Sequence, residues 1–291
     1  MSCGVGENAV NAIGAQAEKG SIDGAKNIQR NQVLDGVTRN QKWKLNPLHK
    51  IGPYEFGIVY CGDSRELVKQ IPDGSIHLIC QDPPYGSNNS HLRQQNITEE
   101  TKIAGDDEGD WRELMPDIFK ESARILDNKS SAICCFAEGG NSSRMSNRLS
   151  DWMGSFLEYH CCLVWNKMAL GMGWKYRRGH EFIHVGHRKG SDLRWFDTTG
   201  SVSSVINIRR SMNPIEDGHP CFKPVPLMEF LIRNHTRRGD VVLDMFAGAG
   251  STGVACKRLG RKFIGFELNK RWADHSNKRI AEEGEQGELF A

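Results

Sequence analysis

The chain has 291 residues and a mass of 32.7 kDa, enough for one α/β domain with a large core and an inserted segment. Its formal net charge of +2 excludes a protein that binds a polyanion by overall charge alone. With no basic-then-apolar leader and no long uncharged apolar run, the sequence predicts a cytoplasmic protein without a membrane span. The nine cysteines include no Cys-x-x-Cys pair, so reduced thiols and no metal site are predicted.

The first half of the chain predicts an extension followed by alternating strands and helices. Residues 1–48 are polar and lack periodicity, which is typical of a mobile extension. A strand then ends near Asp63, before a short helix from Arg65 to Gln70. Asp63 is equally suited to cap that helix or to bind a ligand at the end of the strand.

A second strand, Ser75–Cys80, leads into Asp82-Pro83-Pro84-Tyr85. Strand ends are where open α/β sheets bind their ligands. The Asp82 carboxylate and the Pro83 carbonyl can each accept an N–H from an exocyclic amine, while Tyr85 offers a ring for stacking. This chemistry suits methyl transfer to an amine on a planar ring, although a plain turn after a strand is the simpler alternative.

Further elements follow up to residue 189, and we expect residues 49–189 to form the catalytic half of the domain. The polar stretch 87–110 is long enough to predict a lid beside the site. The apolar periodicity then predicts a helix packed on a sheet, a buried strand and another helix, at Trp111–Leu126, Ser131–Phe136 and Asn141–Trp152.

Near the C-terminus, an apolar strand from Asp240 to Asp244 runs into a Gly-rich turn and a helix from Thr252 to Leu259. Glycines let a ligand approach the backbone closely. The next strand ends in Glu267, where a carboxylate could accept hydrogen bonds from a ribose diol. The spacing also fits a dinucleotide-binding fold, but the short segment after Glu267 lacks the second mononucleotide half.

These motifs and their order resemble the β-class amino-methyltransferases of DNA. The Asp-Pro-Pro-Tyr motif precedes Phe246-Ala247-Gly248-Ala249-Gly250, as in that family. The resemblance also includes family signatures at Tyr60–Ser64, Trp165–Lys167, Tyr176–Ile183 and His219–Pro224. It implies a Rossmann-like, doubly wound, mostly parallel seven-stranded sheet in permuted motif order, with a small target-recognition insert at 190–218 and an S-adenosylmethionine-binding half at 219–281.

The resemblance also implies roles for single residues. The catalytic residues would be Asp82, Pro83, Pro84 and Tyr85. Lys223 would face the cofactor's carboxylate end, Glu267 would hold its ribose, and Asp63 would lie near its adenine. The methionine and sulfonium side of the pocket would be formed by Asp244, Phe246, Gly248, Gly250 and Thr252.

Duplex DNA is the substrate that the resemblance implies, and it favours adenine N6 over cytosine N4 because in the resembling family an Asp at the position of Asp82 usually goes with adenine. The target base would have to be extruded to reach that carboxylate. Basic and aromatic residues concentrate between 175 and 238, as phosphate contact and stacking require. The candidate DNA-binding residues are Arg177, Arg178, Asn207, Arg209 and Arg210.

The tail, 282–291, contains Gln286, Leu289 and Phe290 in a spacing that resembles the peptide accepted by bacterial DNA sliding clamps. Folding of Leu289 and Phe290 onto the core is the alternative. Three other functions remain open: cytosine-N4 methylation, methylation of RNA or a protein amide, and DNA binding without catalysis. The resemblance implies a bacterial or phage enzyme of the restriction-modification type, acting as a monomer or homodimer.

Overall fold

The computed structural model describes residues 49–85, 110–139, 144–171, 175–210 and 222–288. Three predicted features lie outside these residues in whole or in large part: the extension 1–48, the lid 87–110 and the end of the tail, 289–291. None of the helices in the described part combines the length and the apolar character that a membrane span requires.

The described elements alternate between strands and helices over most of the chain. The strands are β1 (Lys50–Ile51), β2 (Tyr54–Glu55), β3 (Ile58–Cys61), β4 (Leu78–Gln81), β5 (Ser130–Glu138), β6 (Glu158–Asn166), β7 (His180–His187), β8 (Asp192–Leu193), β9 (Val205–Asn207), β10 (Val241–Asp244) and β11 (Lys262–Glu267). The helices are α1 (Ser64–Leu67, continued by a 3-10 turn over Val68–Gln70), α2 (Asp110–Ile125), α3 (Arg144–Phe156), α4 (Val225–His235), α5 (Ser251–Leu259) and α6 (Lys270–Glu288).

The central sheet has the strand order β3-β11-β10-β4-β5-β7-β6-β9, with β8 beside β5. Neighbouring strands from β3 to β5 are parallel, whereas β7 is antiparallel to both of its neighbours. The C-terminal strands β10 and β11 lie between β3 and β4 of the N-terminal half. The permuted, mostly parallel sheet is therefore confirmed, and the short strands β8 and β9 extend the seven that were expected.

Helices cover both faces of this sheet, because the side chains of each strand alternate between two apolar layers. One layer joins Leu78 and Val242 to Leu231 of α4 and Val254 of α5. The other layer joins Ile79, Ile133 and Leu243 to Met115 and Ile118 of α2. Such double coverage explains why β4 and β10 are buried along their whole length.

The predicted helices agree closely with the observed ones where a local signal marks their ends. Helix α4 begins at Val225, because Pro224 holds the extended backbone that precedes it. Helix α5 begins one residue earlier than predicted and ends before Gly260, whose φ of 68° is left-handed. Helix α2 begins and ends one residue earlier than predicted, and its expected core residues are buried or partly buried.

The predicted insert, described up to residue 210, runs along the strand direction. It leads from the end of the sheet where the parallel strands begin to the end where they finish. Strand β8 pairs with Ser130 and Ser131, at the start of β5, whereas the catalytic motif follows the end of the neighbouring strand β4. Arg194 is anchored there, with Nη2 2.7 Å from Oδ2 of Asp240. Strand β9 then runs parallel to β6 and pairs Asn207 with Asn166, at the edge that carries Asp82.

Candidate active site

Asp82 follows the last residue of β4 and lies at the edge where the parallel strands end. The hydroxyl of Tyr85 donates a hydrogen bond to Asp82 Oδ1. Burial raises the pKa of Tyr85 well above its usual value, and the negative charge of Asp82 acts in the same direction. Tyr85 is therefore a neutral hydrogen-bond donor that orients the carboxylate.

Lys223 holds the other oxygen of the same carboxylate. Its ammonium donates a hydrogen bond to Asp82 Oδ2, and its Nζ lies 3.3 Å from the hydroxyl oxygen of Tyr85. The Nζ atom also lies 5.6 Å from the ring centroid of Tyr85 and 5.1 Å from that of Phe136. The sequence predicted that Lys223 faces the carboxylate end of a cofactor, whereas the structure brings its charge to Asp82.

Glu181 extends this cluster to a second lysine. Its Oε2 forms an ion pair with Lys223 Nζ at 3.2 Å, and its Oε1 accepts a hydrogen bond from Lys167 Nζ at 2.9 Å. Although burial opposes ionisation, the two ammonium groups hold the pKa of Glu181 below its usual value. Lys167 and Glu181 lie in two segments that resemble family signatures, but the sequence alone indicated no role for either residue.

These four residues make the Asp82 charge cluster, which contains two carboxylates and two ammonium groups: Asp82, Lys223, Glu181 and Lys167. Its charges balance, which makes the burial of Lys223 and Glu181 tolerable. The cluster joins β4, the end of β6, the start of β7 and the segment before α4. It can hold Asp82 in one position while leaving lone pairs on each carboxylate oxygen for a further donor.

The Gly-rich turn lies beside this cluster, because β10 pairs with β4 through Val242–Leu78 and Leu243–Ile79. In this turn, Gly248 and Gly250 have left-handed φ angles of 48° and 76°, which favour glycine over other residues. A side chain at Gly250 would place its Cβ 2.9 Å from Cβ of Ser276. The turn therefore depends on both glycines.

Asp244 ends β10 and organises the start of the turn. Its Oδ2 accepts a hydrogen bond from Thr252 Oγ1 at 2.5 Å, and its Oδ1 accepts one from the Phe246 amide at 3.0 Å. Burial nevertheless raises the pKa of Asp244 to about 7, because these bonds only partly offset the loss of water and the nearby charges of Asp82 and Glu267 add to the rise.

Glu267 ends β11 and closes the turn from the other side. Its Oε2 accepts a hydrogen bond from the Gly248 amide at 2.9 Å, and its Oε1 accepts one from the Asn269 amide at 2.9 Å. Burial raises the pKa of Glu267. Asp63 lies just beyond β3, the strand paired with β11, where it caps α1 through the Arg65 amide at 2.9 Å and forms an ion pair with the Arg65 side chain. Asp63 thus takes the capping role that was one of its two alternatives, and its place near a cofactor's adenine stays a prediction.

The candidate DNA-binding residues lie around the same edge but differ in their contacts. Arg178 forms an ion pair with Glu138, at the end of β5. Arg177 donates from Nε to the Gly171 carbonyl at 2.8 Å. The others lie at the end of β9 and just after it. Asn207 Oδ1 accepts a hydrogen bond from Asn166, the Arg210 amide donates to the Lys167 carbonyl, and Arg209 is exposed.

Several predicted features at this edge lie outside the described residues. They are Gly86 and the lid that follows, residues 211–218 of the insert, and His219–Cys221 of the segment before Lys223. In the part of the chain that the structure describes, no three His, Cys, Asp or Glu side chains converge as a metal site would require.

Comparisons with known proteins agree with this geometry. The chain aligns with a type II methyltransferase of Citrobacter freundii, M.Cfr9I, at 24% identity, covering 81% of this chain and 92% of the relative. The fold resembles that of M1.HpyAVI, solved with S-adenosylmethionine, with a TM-score of 0.58, 23% identity, and coverage of 77% of this chain and 98% of that one. It also resembles the cytosine-N4-specific PvuII DNA methyltransferase, with a TM-score of 0.58, 18% identity, and coverage of 80% and 95%.

A family model covers most of the described domain. The model for DNA methylases of the N6/N4 type matches residues 76–278, which include Asp82, Lys223, Asp244 and Glu267. The match therefore spans both the catalytic motif and the Gly-rich turn, in the permuted order that the sheet explains. The resemblance read from the sequence is confirmed: the chain belongs to the N6/N4 family of DNA methylases.

Proposed function

We propose that the chain transfers a methyl group from S-adenosylmethionine to the exocyclic N6 of adenine in duplex DNA. The observation that supports this most directly is the position of Asp82. Its carboxylate is oriented by Tyr85 and Lys223 and lies one strand away from the Gly-rich turn that follows β10. An acceptor for the target amine and a turn suited to a cofactor thus meet at one edge of the sheet.

The residues around the turn fit S-adenosylmethionine, which supplies an electrophilic methyl group on its sulfonium. Each oxygen of Glu267 accepts one backbone N–H and keeps a lone pair for a ribose hydroxyl. The glycine backbone at Gly248 and Gly250 allows close approach, and Phe246, Thr252 and Asp244 would line the methionine side. Asp63 would lie near the adenine, with its capping bonds to α1 retained.

Asp82 and Pro83 would act directly on the target amine. One oxygen of Asp82 and the Pro83 carbonyl accept its two N–H groups, which turns the nitrogen lone pair toward the methyl group. Tyr85 would stack on the flat base. As the new C–N bond formed, the S–CH3 bond of the sulfonium would break and leave a neutral thioether. The positively charged nitrogen would then release one proton to Asp82, which already accepts an N–H of the amine. Lys223 would offset the charge of Asp82 while the amine is bound.

The choice of adenine rests on Asp82 as the first residue of the motif, within a family that acts on both adenine N6 and cytosine N4. Cytosine N4 is the second candidate, because a structural neighbour is cytosine-N4-specific. The same acceptor pair would serve either amine. Base extrusion is needed in both cases and would be helped by cations near the site: Arg177, Arg178, Arg209 and Arg210, together with Asn207.

Transfer of labelled methyl from S-adenosylmethionine to unmethylated duplex DNA, followed by nucleoside analysis, tests the proposal. We expect N6-methyladenine from the wild type, loss of product with Asp82→Ala, and normal product with Asp274→Ala, which changes an exposed aspartate on α6. N4-methylcytosine would overturn the base assignment. Methylation of RNA or protein in preference to DNA would overturn the substrate, and no turnover on any of them would indicate a binding role.

A further inference from the structure

Three of the six large apolar side chains that are exposed in the described residues lie close together beside the active site. They are Met168, Leu170 and Tyr176, which are 51%, 63% and 85% exposed. Exposed aromatic and apolar side chains that cluster in one short segment indicate a contact surface rather than random surface composition. The function of the chain as derived so far uses none of the three.

These side chains belong to a ribbon that extends β6 and β7 past the edge of the sheet, described over residues 167–171 and 175–179. Its two strands are joined by hydrogen bonds from the Lys167 amide to the Gly179 carbonyl at 2.8 Å and from the Gly171 amide to the Arg178 carbonyl at 2.9 Å. Met168 and Lys175 have left-handed φ angles of 49° and 62°, which are costly for residues other than glycine and often mark functional segments.

The base of the ribbon is tied to the Asp82 charge cluster. Lys167, its first residue, donates to Glu181, and Glu181 forms an ion pair with the lysine that holds Asp82. On the other strand, Arg178 forms an ion pair with Glu138. Whatever binds the exposed part of the ribbon is therefore held in a fixed position relative to Asp82.

The charges around the apolar side chains indicate the partner. Lys175 and Arg177 on the ribbon and Arg209 after β9 are exposed cations at the same edge. Phosphates complement these cations, while an exposed tyrosine and leucine between them complement stacked bases. A DNA duplex presents phosphates and stacked bases side by side. When one base is extruded, an apolar gap remains in the stack.

We infer that Leu170 and Tyr176 enter the duplex and fill the gap that the extruded target base leaves. This inference rests on the proposed function, since it requires duplex DNA and a flipped base. It assigns the ribbon to opening the duplex, whereas Asp82 acts on the amine. The ribbon side chains thereby matter for paired DNA and lose most of their importance once the target base has no pairing partner and leaves the stack at lower cost.

The test compares two duplexes that contain the methylated site found with the wild type: one fully paired, the other with an abasic position opposite the target base. For Leu170→Ala/Tyr176→Ala we expect kcat/KM on the paired duplex to fall about tenfold or more, since a stacking contact contributes roughly 1–3 kcal/mol. On the abasic duplex the loss should stay below about twofold by the same reasoning. Tyr176→Phe should retain most activity on both.

A control is Asp274→Ala, which removes an exposed side chain on α6, outside both the ribbon and the predicted insert. It should leave both activities unchanged. Equal losses of the double variant on the two duplexes, or no loss on either, would overturn the inference. If the wild type itself methylates neither duplex, the proposed function fails instead, so the two failures are distinguishable.

Discussion

Lys223 and Glu181 form a buried ion pair, with Nζ 3.2 Å from Oε2, between the segment that precedes α4 and the start of β7. Each partner has a second one, because Lys223 also holds Asp82 and Glu181 also holds Lys167. Two elements far apart in the chain thereby fix the carboxylate of Asp82. The balance of charge in this cluster, rather than any single bond, should decide how mutations in it change the stability of the protein.

Removing the charge of Glu181 should destabilise the protein strongly. Glu181→Gln leaves the ammonium groups of Lys167 and Lys223 close together, and we expect the free energy of unfolding to fall by about 3 kcal/mol. The double variant Lys167→Met/Glu181→Gln restores the charge balance and should recover much of this loss. Urea unfolding of Glu181→Gln, of Lys167→Met and of the double variant measures both effects.

The exposed pair of Lys270 and Asp274 provides the control for this cycle. Their charged groups are 2.7 Å apart on the surface of α6, where water screens them, so Lys270→Met should leave the free energy of unfolding almost unchanged. If the double variant at 167 and 181 loses the full sum of the single losses, charge balance does not govern the cluster.

The hydroxyl and the ring of Tyr85 should contribute separately to catalysis. Tyr85→Phe removes the hydrogen bond to Asp82 but keeps the ring, so kcat should fall about tenfold, as expected for a lost bond to a charged group. Tyr85→Ala also removes the stacking surface and should reduce kcat much further. Steady-state kinetics with DNA measures both, and equal effects of the two variants would contradict separate roles.

Asp244 should make the stability of the protein depend on pH. Its pKa is about 7 in the folded protein, against 3.8 for an ordinary aspartate, so the folded state binds this proton more tightly than the unfolded chain. The stability that protonated Asp244 contributes is present at low pH and is lost as the pH rises through about 7. From about pH 4 to pH 8, the stability of the wild type relative to Asp244→Asn should therefore fall by roughly 2–4 kcal/mol.

Denaturant unfolding of the wild type and Asp244→Asn across this range provides the measurement. Taking the difference between the two proteins removes the effect of other groups, including His184 and His235, whose burial lowers their pKa values to about 4. Parallel stability curves would show that Asp244 has an ordinary pKa.

Gly253 should tolerate no side chain, because helix α5 packs closely on its neighbours there. A Cβ at this position would lie 2.3 Å from Cδ1 of Ile280 and 2.8 Å from Cε1 of Phe263. Gly253→Ala should cost about 1–3 kcal/mol of folding stability. Gly154→Ala in α3, where a Cβ meets nothing within 4 Å, should be neutral or stabilise by up to about 1 kcal/mol. Thermal unfolding compares them, and equal effects would contradict the packing argument.

The C-terminal tail should bind a bacterial sliding clamp through Gln286, Leu289 and Phe290. Leu289 and Phe290 lie outside the described residues, so the prediction rests on the sequence alone. A titration with purified clamp should detect binding by the wild type and lose it with Leu289→Ala/Phe290→Ala. Asp82→Ala is the control and should bind normally. Binding that survives the double variant, or that is absent in the wild type, would end this hypothesis.

Local patterns in the sequence predicted much of the fold and part of the site. Asp82, Asp244 and Glu267 each follow an apolar strand, so their places at one edge of a parallel sheet could be inferred. The start of helix α4 was clear because prolines mark it. Each of these signals lies within a few residues of the feature it predicts.

The contacts that cross the chain could not be inferred in this way. Lys223 and Asp82 are 141 positions apart, and their pairing depends on the order of strands in the sheet. The path of the insert was equally hidden, because residues 190–196 lack periodicity and are anchored by the ion pair of Arg194 with Asp240. Charge partners of buried residues are set by tertiary packing, for which one sequence carries no local pattern.

The path of the insert also bears on how target specificity could be re-engineered. At one end, Phe196 lies under the guanidinium groups of Arg194 and Arg237, and its amide donates to the Asn234 carbonyl at 2.8 Å. At the other end, Lys223 belongs to the Asp82 charge cluster. If residues 190–218 recognise the target sequence, as we propose, a foreign segment grafted after Phe196 and ending before Phe222 would keep both attachments. It would also have to supply a strand in place of β9, whose Ile206 is buried in the core.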